Sequence, residues 1–390
     1  MRMPARPVRW WARAVLLLAA LALAGCGPAV ATSAGTSGPG GHWIPAGTML
    51  HAREFASATK LADGRVLVTG GISANQRIPV AEIFNPTTKT WSEAGALQTP
   101  RTGDVPVLLH SGKVMVIGGY DGKKALASTE IFDPATLTWS AGPPLHQART
   151  SFAALTLKDG RVLVVAGYDG TNDLSETELY DPKANAWAVG PSLPAAISGE
   201  SVWQLANGNV LVAGGQTSSK GVEVFIKSCE LFHPGANTWS STGDLSQAYV
   251  SWALAALPNQ RVLLDGEFVA SNYSGGLLQK PHVEAYDPGT GSWGPIDQML
   301  TIRLSFSLDT LGNGEVLAAG GLAKSSAFPL RTAELYNPAT GHWSPTASMA
   351  HARQAAASTT LSDGTVLVAG GVGSNLSSIT SAEIFVPSQG

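Results

Sequence analysis

Short apolar runs, each opened by valine and closed by small or glycine residues, recur along the chain behind a polar turn. They read DGRVLVTGG at 63–71, SGKVMVIGG at 111–119, DGRVLVVAG at 159–167 and NGNVLVAGG at 207–215. NQRVLLDGE at 259–267, NGEVLAAGG at 313–321 and DGTVLVAGG at 363–371 complete the series. Asp-Gly and Asn-Gly between apolar segments favour two-residue hairpin turns, because those turns need positive φ. The runs are continuously apolar instead of alternating, which predicts strands buried on both faces. Successive runs start 48, 48, 48, 52, 54 and 50 residues apart. A period near 50 built from short strands and turns predicts a propeller rather than a helical solenoid.

Each period holds four predicted strands. Strand A precedes the turn, as in FASATKL, and strand B is the apolar run. Strand C is a Glu-x-aromatic segment: AEIFNP, TEIFDP, TELYDP, CELFHP, VEAYDP, AELYNP and AEIFVP. Strand D begins at a Trp, at positions 43, 91, 139, 187, 239, 293 and 343. Paired glycines after strand B allow close backbone approach where wedge-shaped units converge.

The combination of an apolar strand ending in GG, then Glu-x-Tyr/Phe-Asp/Asn-Pro, then Trp resembles the kelch repeat over residues 43–387. Seven such repeats imply an all-β fold, a seven-bladed β-propeller of four-stranded blades. The last unit stops at Pro387 with no Trp after it, and Trp43 stands alone before the first strand A. Trp43 is therefore expected to supply strand D of blade 7, a closure that removes exposed edges.

The N-terminus reads as a separate segment. Four arginines lead into AVLLLAALALA at 14–24, a stretch too short to span a bilayer comfortably, followed by LAGC. LAGC resembles the lipobox of bacterial lipoproteins, which implies a signal peptide at 1–25 and a lipidated Cys26. Residues 26–42 are then expected as a flexible tether and 43–390 as the propeller, exported and anchored at the outer membrane or cell surface. The chain carries 25 Lys and Arg against 28 Asp and Glu; without the leading arginines the balance is 21 against 28. That excess of acid argues against nonspecific nucleic-acid binding. Cys229, the other cysteine, then has no partner for an intrachain disulfide.

Features repeated in every unit read as scaffold, including the seven glutamates of strand C. One position at the start of strand A varies instructively: Arg53, Arg101, Arg149, Ile197, Tyr249, Arg303 and Arg353. In kelch domains that capture acidic peptides, arginines at this place line the pocket, so the resemblance implies a ring of five arginines facing an anionic or hydroxyl-rich ligand. The competing expectation is that they bond carbonyls or the nearby acids Asp104 and Glu200. Blades 4 and 5 lose the arginine together and have longer B–C segments, and blade 5 replaces GG with Gly266-Glu267. Glu200, Tyr249, Trp252 and Glu267 could then form an acidic and aromatic sector suited to sugar or peptide.

The sequence contains no HExxH, CxxC, GxSxG or Walker motif. The resulting expectation is a monomeric binding or protein-interaction module using the channel rim, its partner a protein, peptide or glycan, with no catalytic residue, metal or cofactor. The alternatives are a carbohydrate-active enzyme resembling sialic acid mutarotases, and a protein resembling the copper radical oxidases. The latter require a Cys–Tyr crosslink with further Tyr and His ligands, for which Cys229 has no evident set.

Overall fold

The computed structural model describes residues 37–219, 222–268, 281–323 and 328–388. They form seven antiparallel blade sheets, each with the strand order A-B-C-D, and a two-stranded ribbon of Gln216–Ser219 and Val222–Phe225 in the B–C segment of blade 4. Blade 1 comprises Glu54–Lys60, Val66–Ser73, Val80–Asn85 and Thr90–Ala96. The A strands touch their neighbours in cyclic order, blade 1 against 2 and onward to blade 7 against 1. The fold is a seven-bladed β-propeller, as the repeat pattern predicts.

The first residues of every B strand are buried, from Val66–Val68 in blade 1 to Val366–Val368 in blade 7. Each core layer draws on two neighbouring blades: Leu61, Leu67 and Ile83 of blade 1 pack with Val114 and Phe132 of blade 2. Burial between blades is the reason these strands are apolar on both faces. The strand-D Trp stacks on the strand-C aromatic of its own blade, as with Phe84 and Trp91 at 5.0 Å. Its indole N–H then donates to a carbonyl of the preceding blade, from Trp91 to Ala46 and from Trp139 to Ala94.

Closure follows the expected route. Gly41–Thr48 pairs with Ser381–Pro387 in the register Trp43 opposite Phe385, so the N-terminal strand is strand D of blade 7. Trp43 is buried and donates to the Ala347 carbonyl of blade 6. Residues 37–42, expected as the end of a tether, differ from that expectation: Ser37–Gly38 folds back on Gly41–His42 as an added edge strand. Cys26 and the rest of the predicted signal and tether lie outside the described residues.

Blade 5 carries a further irregularity. Its A–B turn has Gln260 where the other blades have glycine, and a 3-10 turn at Pro258–Gln260 holds both Asn259 and Gln260 at positive φ. Gly64, at φ 87° in the corresponding turn of blade 1, adopts such a conformation without the steric cost of a side chain.

Candidate functional site

The D–A and B–C loops share one face of the ring, and this loop face is where the sequence placed the binding site. The five arginines at the start of strand A lie just beneath it, yet they do not open to it. All five are buried, none more than 3% exposed. Arg101 is representative. Its Nη1 donates to the Gly118 and Ser128 carbonyls, and its Nη2 donates to Glu130 Oε1 at 2.7 Å. Arg53, Arg149, Arg303 and Arg353 make the same ion pair with Glu82, Glu178, Glu334 and Glu383 of their own strands C.

Each glutamate in turn accepts backbone N–H groups of the D–A loop, such as Gln98 and Thr99 for Glu130. Arginine and glutamate together tie the loop to strands A, B and C of one blade. The ring of ligand-facing arginines is thus corrected: these side chains are internal clamps. Their acidic partners are the strand-C glutamates, which also corrects the expected pairing with Asp104 and Glu200. Burial lowers the pKa of Arg53, Arg149, Arg303 and Arg353, with the paired glutamate opposing that shift.

Asp104 and Glu200 serve the joints between blades. Glu200 Oε1 accepts the Ala153 N–H of blade 3, and its carboxyl is pushed up to about 8 by burial. Burial likewise pushes Asp104 up to about 6. A side chain on Gly70 of blade 1 would meet Asp104 Oδ1 at 2.8 Å, so this glycine makes room for the carboxylate. Tyr249 is buried, and its hydroxyl lies 2.9 Å from the hydroxyl of Ser246, which also contacts Glu284. It therefore occupies the arginine's place in blade 5 instead of facing a ligand. The side chains of Trp252 and Glu267 lie outside the described residues.

Apolar side chains of the loop face escaped the sequence reading. Leu50 and Leu300 hold equivalent D–A loop positions in blades 1 and 6 and are 54% and 63% exposed. Phe328, in the B–C loop of blade 6, is 54% exposed, and Phe55 of blade 1 is 41% exposed. Phe55 has φ 54°; Gly103, Ser151, Gly199, Ser305 and Ala355 hold the matching positive-φ site in other blades. A bulky residue there costs about 1–2 kcal/mol. The signal was present in the alignment of repeats: Phe stands where the other residues quoted are small.

Among the described residues no three His, Cys, Asp or Glu side chains converge as a metal site requires. Cys229 is buried, with its thiol pushed up to about 12.

Four stretches, 61–98, 101–146, 149–194 and 310–350, match the Kelch motif. With the seven sheets, they define a β-propeller of kelch repeats, a fold widely used for protein interaction. No curated protein sequence matches the chain. Among solved structures, it is similar to a fungal alcohol oxidase of the AA5 family in complex with copper. The TM-score is 0.68 at 19% identity, covering 91% of this chain and 77% of that one. At such identity the likeness concerns the fold alone.

Proposed function

We propose that this protein is an interaction module that binds a partner protein through the loop face, held at a membrane by lipid on Cys26. The observation that carries the reading is the exposure of Leu50, Phe55, Leu300 and Phe328 on that face of blades 1 and 6, either side of blade 7. Water-exposed apolar side chains grouped on one face mark interaction surfaces. The five strand-A arginines that could have served an anionic ligand there are held internally by their strand-C glutamates.

Gly41 pairs with Pro387 at the C–D turn end of blade 7, the side of that blade opposite the loops. Export to the outer membrane or cell surface is the placement the LAGC resemblance supports.

The test is capture of membrane-associated partners by crosslinking, comparing the parent chain with a folded variant carrying Leu50→Ser, Phe55→Ser, Leu300→Ser and Phe328→Ser. Loss of a specific crosslinked protein in the variant supports the reading. Equal capture by both chains rejects the loop face as the site. Replacing Cys26 with Ser should release the protein from membranes, and unchanged membrane association rejects the lipid anchor.

A further inference from the structure

Blade 4 keeps the strand-C glutamate of the clamp, Glu230, but lacks the arginine and one of the loop N–H groups that hold it. Ile197 fills the arginine's position and is buried. Pro194 stands where Leu50, Gln98, His146 and Leu300 offer an N–H to the strand-C glutamate, and proline has none to offer. Glu230 is left half-buried, its Oε1 meeting Ser241 Oγ at 3.4 Å and its Oε2 unpartnered.

The joint to blade 5 is loosened in parallel. The first glycine after strand B normally presses on the next blade. A Cβ on Gly118 would lie 2.8 Å from the Arg149 carbonyl oxygen, on Gly320 2.5 Å from that of Arg353, and on Gly370 2.6 Å from that of Arg53. On Gly214 of blade 4 it would lie 3.8 Å from the Tyr249 carbonyl oxygen. Six strand-D tryptophans donate to a carbonyl of the preceding blade. Trp293 of blade 5 is the exception: its Nε1 reaches no carbonyl of blade 4 and turns instead to the Cys229 sulfur, a poor acceptor. At the outer rim the contact persists, with Gly243 N–H donating to the Gly291 carbonyl at 2.8 Å.

We propose that the propeller opens at the seam between blades 4 and 5, hinged at its outer rim, while the remaining seams stay closed. Cys229 reports on this motion. It is buried among Leu245, Tyr249, Leu264 and Tyr286, on the surface of blade 4 that blade 5 covers. Local opening of this kind exposes a buried group without global unfolding and depends weakly on denaturant.

The experiment uses the full chain with Cys26→Ser, so that Cys229 is its sole thiol. Thiol labelling is followed in low urea beside amide exchange resolved by peptide. The expected result is labelling faster than global unfolding permits, with a shallow urea dependence. Val210–Ala213 and Cys229–His233 should exchange before Val114–Ile117 and Thr129–Asp133 of blade 2. Labelling with the full urea dependence of unfolding overturns the proposal, as does equal protection of blades 2 and 4 in amide exchange.

Discussion

Arg101 Nη2 and Glu130 Oε1 meet at 2.7 Å with both side chains cut off from solvent, and the same pair recurs in five of the seven blades. Removing one member leaves the other charge buried and strips the D–A loop of its acceptor or its brace. Arg101→Ala and Glu130→Ala should each cost about 3–5 kcal/mol in urea-induced unfolding. A loss under about 1 kcal/mol in both, the range of exposed pairs, would show that the clamp carries little of the fold's stability.

The scaffold was legible because it repeats. The strand-D tryptophans, the apolar B runs and the Glu-x-aromatic segments recur in the same order every 48 to 54 residues, and strand pairing follows from that order. Strand D of blade 7 could be assigned because Trp43 and Pro387 each lacked a neighbour. The site was far less legible. Arg101 and an exposed ligand-binding arginine are identical in sequence, and only its depth beneath the loops separates a clamp from a contact. Blades 4 and 5 were correctly singled out as irregular. Their loss of the arginine read as a specialised sector, whereas the geometry shows a missing brace at Ile197 and a substitute one at Tyr249.

The Glu200 carboxyl has a folded pKa of about 8 against an ordinary 4.5, chiefly through burial, with the Ala153 N–H and Arg149 pulling the other way. Its neutral form suits the fold, so its favourable contribution is complete below about pH 4.5 and fades as pH rises through 8. Asp104 and Asp309, both pushed up to about 6 by burial, act in the same sense over a lower window. Thermal midpoints should fall from pH 5 to pH 9. Glu200→Gln keeps an oxygen for the Ala153 N–H and cannot ionise, so it should flatten the upper part of that decline. A parent chain as stable at pH 9 as at pH 5 contradicts the assignment.

Closure of the ring depends on a strand far away in sequence. Trp43→Ala removes a buried ring packed edge-on against Phe385 at 5.2 Å and the hydrogen bond to Ala347, and should cost about 3–5 kcal/mol. Deleting residues 37–48 goes further, leaving Ser381–Pro387 as an unpaired edge. Such edges template association between chains. Light scattering should show the truncated chain forming oligomers at concentrations where the parent stays monomeric; a monomeric truncation product would mean that the edge is protected in another way.

Phe55 sets stability against binding at a single position. Its φ of 54° belongs to the left-handed region, and its ring is substantially exposed on the loop face. Its N–H donates to the Ala355 carbonyl of blade 7 at 3.0 Å, and that bond is independent of the side chain. Phe55→Gly therefore keeps the joint between blades while relieving the strain, and should raise stability by about 1 kcal/mol in chemical denaturation. A residue that strains the backbone and exposes an aromatic ring is disadvantageous for folding alone, which is the situation expected at a binding surface. The same variant should accordingly weaken partner capture through the loop face. A variant that is less stable than the parent would remove the strain argument, and one that is more stable with capture unchanged would remove Phe55 from the interface.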